Sequence, residues 1–145
     1  MTEILQVVCP HCDALNRVPA VRLAHRPVCG ACRRALFEDR PLVLDEARFR
    51  RHLRSDSLPL LVDFWASWCA PCRAMAPEFE AAAASLGPAI RLAKVSTEEA
   101  PALAQELAIR SIPMLVMFRE GREVARHPGA MPARQIVAWA LQHAG

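Results

Sequence analysis

The sequence contains no apolar run of the roughly 18 to 20 residues that a membrane-spanning helix needs. Its start, MTEILQVVCPHC, lacks the basic stretch, the long apolar stretch and the small-residue cleavage site of a secretory signal. It also has no low-complexity linker and no internal repeat beyond a Cys-x-x-Cys spacing that occurs three times. We therefore expect no membrane insertion and no export, and we place the protein in the reducing cytoplasm. In that compartment Cys-x-x-Cys pairs more often bind metals or catalyse redox reactions than form structural disulfides.

Large apolar residues are scarce in residues 1–40, which contain four of the six cysteines. So few apolar side chains cannot form a self-sufficient core, and something other than burial must stabilise this part. Ten of the 18 basic residues lie within residues 1–55, against six acidic ones. A basic surface without interleaved aromatic side chains is typical of a solvated face, so we expect no binding to nucleic acid.

The four N-terminal cysteines have the spacing C-x2-C-x16-C-x2-C, which is typical of a four-thiolate zinc site. They are Cys9, Cys12, Cys29 and Cys32. Two tight turns would bring the thiolates into a tetrahedron with no open position, which predicts one structural Zn²⁺ whose binding supplies folding free energy. Two local disulfides or a second redox centre are the alternative. His11 could compete as a ligand, while the other histidines, His52 among them, are expected at the surface.

The remainder of the chain, residues 41–145, has the pattern of an α/β domain with the element order β-α-β-α-β-α-β-β-α. Its apolar run LPLLVDFWAS has the length of a strand and suits a central strand buried on both faces. A helix is predicted over residues 70–86, ended by Gly87 and Pro88, and Asp45 is predicted to cap an earlier one. Thr97 is predicted to cap a short helix, and a hairpin should turn at Glu120 and Gly121.

The third Cys-x-x-Cys pair lies where the buried strand gives way to the long helix, in the segment WCAPC. The N–H groups and the dipole of the first helical turn favour a thiolate at Cys69, and redox chemistry also needs that sulfur to be exposed. We therefore predict Cys69 as the nucleophile and Cys72, one turn inside and more buried, as the resolving thiol. Pro71 would cost no hydrogen bond in the first turn, and Trp68 would shield one side of the site.

Asp63 is the only charge in the predicted central strand, six residues before Cys69. Burial would raise the pKa of its carboxyl and suit it to act as the general base for the resolving thiol. The alternative is that Asp63 faces solvent at the end of the strand. Lys94, the only lysine, falls on a predicted neighbouring strand, where it either partners Asp63 or lies by chance.

The Ile112–Pro113 bond precedes the next long strand. A cis bond there would turn a free backbone edge toward the sulfurs, ready to bind an extended substrate segment. Since only about 5% of X-Pro bonds are cis, the residues alone do not favour this geometry.

Residues 42–145 resemble a thioredoxin over their whole length, through VDFWASWCAPC, the AMAP helix segment, KVSTEE, IRSIP and the glycine at 129. With the N-terminal cysteines included, the chain resembles the zinc-containing thioredoxin 2 type. The resemblance implies a thioredoxin fold, a central mixed sheet flanked by helices, over residues 41–145 after a zinc ribbon over residues 1–40. It also implies reduction of protein disulfides by a dithiol that an NADPH-dependent thioredoxin reductase regenerates, with no tightly bound organic cofactor.

The resemblance further implies Cys69 as nucleophile, Cys72 as resolver and Asp63 as buried acid and base. The residues expected to face substrate are Trp68, Ala70, Pro71, Ile112, Pro113, which would be the cis proline, and Gly129. The family motif usually has Gly where Ala70 stands and Thr where Met114 stands. We expect these departures to change the redox potential or the choice of partner and to leave the reaction unchanged.

The sequence is also compatible with two other hypotheses about function. In one, the zinc ribbon is a binding module for nucleic acid or a protein partner and the α/β domain is only a scaffold. In the other, the protein is a disulfide oxidant or isomerase, which would need an oxidising compartment. We favour a monomeric dithiol reductase, because a scaffold gives no reason for a Cys-x-x-Cys pair at a helix start.

Overall fold

The N-terminal part of the chain forms a small two-stranded sheet. The computed structural model describes residues 3–145, so the first two residues of the predicted zinc ribbon lie outside it. Strands β1 (Ile4–Val8) and β2 (Leu15–Pro19) pair antiparallel and are followed by a 3₁₀ helix over Ala20–His25. Val7, Val18, Leu36 and two of the cysteines are buried together, with Leu58 from the larger part of the chain completing this cluster.

The larger part has nine elements in the predicted order. They are β3 (Leu42–Val43), α1 (Glu46–Ser55), β4 (Leu60–Trp65), α2 (Ala70–Leu86), β5 (Arg91–Ser96), α3 (Pro101–Glu106), β6 (Met114–Arg119), β7 (Arg122–Pro128) and α4 (Ala133–His143). The sheet has the order β3-β5-β4-β6-β7, in which β4 is parallel to β5 and antiparallel to β6. The sheet is therefore mixed, and the predicted fold class is confirmed.

The central strand β4 is buried on both faces, as its apolar composition predicts. Because side chains alternate along a strand, Leu61 packs with α2 and α4 on one face, whereas Val62 packs with α1 and α3 on the other. The result is a three-layer arrangement of helices, sheet and helices. The strand ends at Trp65, and a short turn then carries the chain to the start of α2.

Local signals set most helix ends. The Asp45 carboxylate accepts a hydrogen bond from the N–H of Arg48 at 2.8 Å, so it caps α1 as predicted. Helix α2 covers the predicted residues and ends at Gly87, whose φ of 57° favours glycine. The hairpin of β6 and β7 turns at Glu120 and Gly121, which both have positive φ, as its sequence predicts.

The predicted cap of α3 is wrong. Thr97 donates both its N–H and its hydroxyl to the carbonyl of Trp65, at 2.8 and 3.2 Å, and so joins the ends of β4 and β5. Helix α3 begins later, at Pro101, a residue that suits the first helical position because its fixed φ fits the helix and its N–H is not needed there.

Buried polar contacts join the N-terminal sheet to the larger part of the chain. The Asp56 carboxylate accepts the N–H of Val8 at 3.0 Å, and Arg91 donates to the carbonyl of Val8 at 3.2 Å. Arg91 and Asp56 lie 3.5 Å apart with side chains only 3% and 4% exposed. Because these contacts cross residue 40, the two parts pack as neighbours, and a division there stays a prediction.

The expectation that His52 lies at the surface is wrong. This side chain is only 2% exposed, because the face of α1 that carries it lies at the junction with the N-terminal part. Burial, with nearby Arg91 and Arg48, lowers the pKa of His52 to about 4, so the ring is neutral at physiological pH. Within residues 3–145, no helix is both long and apolar enough to span a membrane.

Candidate active site and metal centre

Cys69 and Cys72 form a disulfide at the amino end of α2, with their Cα atoms 5.3 Å apart. Cys69 is the N-cap residue, and its Sγ accepts a hydrogen bond from the N–H of Cys72 at 3.3 Å. An N–H group at a helix start stabilises negative charge on that sulfur. The local geometry therefore favours a thiolate at Cys69 once the disulfide is reduced.

The exposure of Cys69 differs from the expectation, whereas Cys72 is the more buried cysteine, as predicted. Cys69 is 4% exposed and Cys72 is 2% exposed, so the predicted solvent-facing sulfur is not found in this oxidised state. Burial follows from the bond between the two sulfurs and from the loop opposite, whose Ile112 carbonyl oxygen lies 3.7 Å from Cys69 Sγ. Trp68, the next residue along the chain, is 69% exposed and marks the surface of the site.

The loop that contains Ile112 and Pro113 lies opposite the disulfide and has the expected cis peptide bond. The Ile112–Pro113 bond is cis, as the resemblance implies. The Pro113 carbonyl accepts the N–H of Gly129 at 2.9 Å, which ties this loop to the end of β7. Gly129 has a φ of 93°, a conformation that residues with a side chain rarely adopt. The structure thus brings Ile112 and Pro113 to the disulfide and Gly129 to Pro113.

Asp63 lies in the middle of the sheet, paired in register with Lys94 on β5 and Leu115 on β6. It is 0% exposed, so the alternative of a solvent-facing Asp63 is wrong. Neither carboxyl oxygen has a hydrogen-bond partner among residues 3–145. Burial raises the pKa of Asp63 to about 7, although the charge of Lys94 opposes the rise.

Lys94 lies beside Asp63 without forming an ion pair with it among the contacts of residues 3–145. Its Nζ lies 4.6 Å from the centroid of the Trp65 ring, a distance typical of a cation–π contact. Direct pairing of Lys94 with Asp63 is therefore not found among these contacts, and the positive charge of Lys94 acts on the carboxyl at longer range.

The four N-terminal cysteines form a second cluster, which has the geometry of a metal centre. Their sulfur atoms all lie within 4.8 Å of one another, with 3.6 Å between Cys9 and Cys32 and between Cys12 and Cys29. Thiolates bound tetrahedrally to zinc at about 2.3 Å lie about 3.8 Å apart, so the cluster fits this ion. All four are free cysteines, so the alternative of two local disulfides is not found.

Each of the two cysteine pairs lies in a tight turn, and the two turns have the same hydrogen bonds and backbone conformation. The amide two residues after the first cysteine points at its sulfur, from His11 to Cys9 at 3.3 Å and from Ala31 to Cys29 at 3.4 Å. The residue after each second cysteine has positive φ, 64° and 68°, which closes the turn. N–H groups directed at sulfur stabilise thiolate ligands and fix their orientation.

Two side chains next to this cluster have roles that the sequence did not reveal or left open. Asn16 donates to Cys29 Sγ at 3.5 Å and accepts the N–H of Gly30 at 2.9 Å, so it holds the second turn. A lone asparagine in a strand has no sequence signal for such a role. His11 is not among the residues whose ligand atoms cluster here, and its Nε2 instead lies 3.0 Å from Glu38.

Two family models match the chain. A model described as thioredoxin matches residues 40–142, and one described as thioredoxin 2, N-terminal, matches residues 8–34. Thioredoxin C-3 of Corynebacterium nephridii is 42% identical over 133 residues, which cover 92% of this chain and 91% of that protein. Thioredoxin 1 of Synechococcus elongatus is 41% identical over 87 residues, covering 60% of this chain and 81% of that protein.

Solved structures show the same likeness. A mutant thioredoxin from Halobacterium salinarum superposes with a TM-score of 0.66 at 27% identity, covering 74% of this chain and 93% of its own. A thioredoxin from Malassezia sympodialis superposes with a TM-score of 0.63 at 30% identity, covering 71% and 90%. Because one family model spans most of the chain and a second matches the cysteine-rich part before it, the chain belongs to the thioredoxin family, in the type that carries a zinc ribbon.

Proposed function

We propose that this chain reduces disulfide bonds in proteins by thiol–disulfide exchange at Cys69 and Cys72. The observation that carries the proposal is the disulfide at the start of α2, with an N–H group directed at the Cys69 sulfur. Membership of the thioredoxin family supports it, since thioredoxins are protein-disulfide oxidoreductases.

The reaction has two steps, each of which forms one bond between sulfurs and breaks another. The Cys69 thiolate attacks a substrate disulfide, forms a mixed disulfide and releases one substrate sulfur as a thiolate, which takes up a proton. Cys72, once deprotonated, attacks the Cys69 sulfur and displaces the second substrate sulfur. Two electrons pass from the dithiol to the substrate, and the Cys69–Cys72 bond closes.

Asp63 is proposed as the group that accepts the proton of Cys72 in the second step. A carboxyl with a pKa near 7 is half ionised at physiological pH, which suits a general base. Lys94 is proposed to keep this carboxyl ionisable through its positive charge. The substrate segment is proposed to contact Trp68, Ala70, Pro71, Ile112, Pro113 and Gly129.

The oxidised chain must be reduced again before another turnover. We assign this step to an NADPH-dependent thioredoxin reductase, the reductant that the family uses, and we place the protein in the cytoplasm as a monomer. We propose that it binds neither nucleic acid nor a membrane.

Trapping experiments test which thiol attacks first. A reduced Cys72→Ser variant should accumulate a mixed disulfide with oxidised insulin, because nothing remains to resolve it. A reduced Cys69→Ser variant should accumulate none, since it lacks the attacking sulfur. Non-reducing electrophoresis and peptide mass spectrometry measure both outcomes. A mixed disulfide formed at Cys72 of the Cys69→Ser variant would reverse the assigned roles.

One Zn²⁺ per chain is proposed for the four N-terminal thiolates, as a structural ion. When bound, zinc closes the cluster and stabilises the fold of a segment that has little apolar core. The ligand residues are Cys9, Cys12, Cys29 and Cys32. With all four positions filled by sulfur, the ion has no vacant site for substrate.

Metal analysis combined with thiol counting checks this proposal. The reduced native protein should contain one zinc per chain and react rapidly at two thiols, with four more reacting only after a chelator removes the metal from the unfolded chain. Removing the metal should lower the midpoint of thermal unfolding, since the ion binds only the folded turns. Six thiols reacting equally fast in a protein without zinc would refute the site.

A further inference from the structure

The peptide of Ser67, two residues before Cys69, is held by charged side chains from two other segments. One carboxylate oxygen of Glu98, Oε1, accepts the N–H of Ser67 at 2.6 Å and its hydroxyl at 2.7 Å. On the other side, Arg73 Nη1 donates to the Ser67 carbonyl oxygen at 2.7 Å. All three polar groups of this residue are therefore bonded to side chains of Glu98 and Arg73, which we call the Ser67 clamp.

The clamp acts on a turn that little else constrains. Strand β4 has ended at Trp65, and the turn contains one backbone hydrogen bond, from the N–H of Cys69 to the carbonyl of Ala66 at 3.2 Å. Ala66 is fully buried at one end, and Cys69 caps α2 at the other. The Ser67 peptide lies between these two residues and immediately precedes Trp68.

The contacts of the clamp are short, charge-assisted hydrogen bonds at the solvent-exposed surface of the site. Each has one charged partner and a length of 2.6 to 2.7 Å, which is at the short end of the range for such bonds. The bonds from Ser67 lower the pKa of the Glu98 carboxyl, so this group stays ionised and remains an acceptor at neutral pH. Glu98 reaches Ser67 from 31 positions along the chain, whereas Arg73 reaches it from six positions along, near the start of α2.

We propose that Glu98 and Arg73 are positioning residues for disulfide exchange, acting through the Ser67 peptide on Trp68 and Cys69. The proposal rests on the function proposed above. In the oxidised chain the Cys69–Cys72 bond also constrains the turn, whereas in the reduced chain that bond is gone and the clamp remains. The clamp thus keeps the attacking sulfur and the exposed Trp68 ring in one arrangement, which a large protein substrate needs more than a small disulfide does.

If Glu98 acted only through its charge, replacing it would speed the attack by Cys69, whereas loss of positioning would slow that attack. A negative charge near Cys69 disfavours its thiolate, so removing the charge would lower the pKa of that thiol and speed its attack. Loss of positioning would slow the attack instead. The two explanations can therefore be separated by the direction of the change.

The test compares Glu98→Ala, Glu98→Gln and the neighbouring Glu99→Ala in the fully reduced protein. Glu98→Ala should lower the second-order rate with insulin by about 5- to 10-fold, since small misplacements of reacting groups cost rate steeply. Glu98→Gln should retain at least about half of the rate, because its amide oxygen can still accept from Ser67. Glu99→Ala removes the same charge one residue along, where the side chain does not bond Ser67, and should change the rate less than about 2-fold.

Two further measurements distinguish positioning from a general structural defect. With 5,5′-dithiobis(2-nitrobenzoate), a small disulfide, Glu98→Ala should lose less than about 2-fold, because no protein surface has to dock. Ser67→Ala changes no charge and removes only the hydroxyl bond, so it should slow insulin reduction by about 2-fold. The pH at which iodoacetamide half-modifies Cys69 should not fall in Glu98→Ala, as it would if charge alone mattered.

Three results of these rate measurements would contradict a positioning role for Glu98. Equal rates for Glu98→Ala and Glu99→Ala with insulin would refute the clamp, as would equal losses with insulin and with the small disulfide. A faster Glu98→Ala would assign the residue an electrostatic role. If the unaltered chain reduces neither disulfide, the proposed function fails and the clamp fails with it, whereas an active chain with unaffected variants removes the clamp alone.

Discussion

Replacing Cys69 with Ser should abolish the reduction of protein disulfides, with an expected loss of at least about 10³-fold in rate. A serine hydroxyl is not ionised near neutral pH and forms no disulfide, so both the attack and the ring closure are lost. Insulin precipitation in the presence of dithiothreitol measures the rate. The comparison is with the unaltered chain and with the uncatalysed reaction at the same dithiothreitol concentration.

The geometry of the site makes this substitution a clean test. Cys69 caps α2 through a hydrogen bond from the N–H of Cys72, and Ser is among the preferred residues at such a position. The variant should therefore unfold within about 0.5 kcal/mol of the reduced unaltered chain, which has no disulfide either. A variant that is equally stable yet keeps more than a tenth of the rate would show that Cys69 is not the nucleophile.

Replacing Asp63 with Asn should stabilise the protein by about 4 kcal/mol at pH 8. The reason is the fully buried carboxyl, which has no hydrogen-bond partner for its charge. Burial raises its pKa from 3.8 to about 7, and ionising it in the folded chain is therefore costly. Asn stays neutral at every pH and occupies nearly the same volume. Urea unfolding of the oxidised chains measures the difference.

The sign of the pH dependence follows from the same pKa. Between pH 4 and pH 7 the folded chain keeps a proton on Asp63 that the unfolded chain has released, so stability is full below about pH 4 and falls as the pH rises through about 7. The stability gained by Asp63→Asn should therefore be near zero at pH 4 and reach its maximum at pH 8. A gain that does not depend on pH would contradict the raised pKa.

An exposed acid provides the matched control for this prediction. Glu99 is exposed, so Glu99→Gln removes one negative charge without removing a buried one, and stability should change by no more than about 0.5 kcal/mol. Asp63→Asn also tests the proposed general base. Its mixed disulfide with insulin should resolve more slowly than that of the unaltered chain, with the largest difference near pH 7.

Local patterns in the sequence predicted the elements that carry the site. The apolar run around Asp63 predicted a strand buried on both faces, and the Gly87 stop predicted the end of α2 at the observed residue. The apolar run and the terminal glycine can both be recognised within a short segment, because one reflects the composition of a buried strand and the other a backbone conformation that glycine favours. Thr97 shows where this reasoning fails, because its hydrogen bonds go to Trp65 on another strand and not to the helix that follows it.

The proposed metal centre also came from spacing, although its surroundings did not. Two Cys-x-x-Cys turns are local structures, and the cluster they form fits the predicted zinc site. The packing of this part against α1 could not be predicted from spacing. It depends on Arg48, which bonds the Asp13 carboxylate and the Pro10 carbonyl, and on Arg91, which reaches Val8.

The order of the elements, the four-thiolate pattern and the position of Cys69 at a helix start could all be predicted from the amino-acid sequence, because each depends on periodicity or spacing within a short segment. The burial of Cys69, the burial of His52 and the side chains that bond the Ser67 peptide became known only from the folded chain. The physical reason is that burial and side-chain hydrogen bonds join residues far apart in the chain, such as Ser67 and Glu98, 31 positions apart, or Val8 and Arg91, 83 apart.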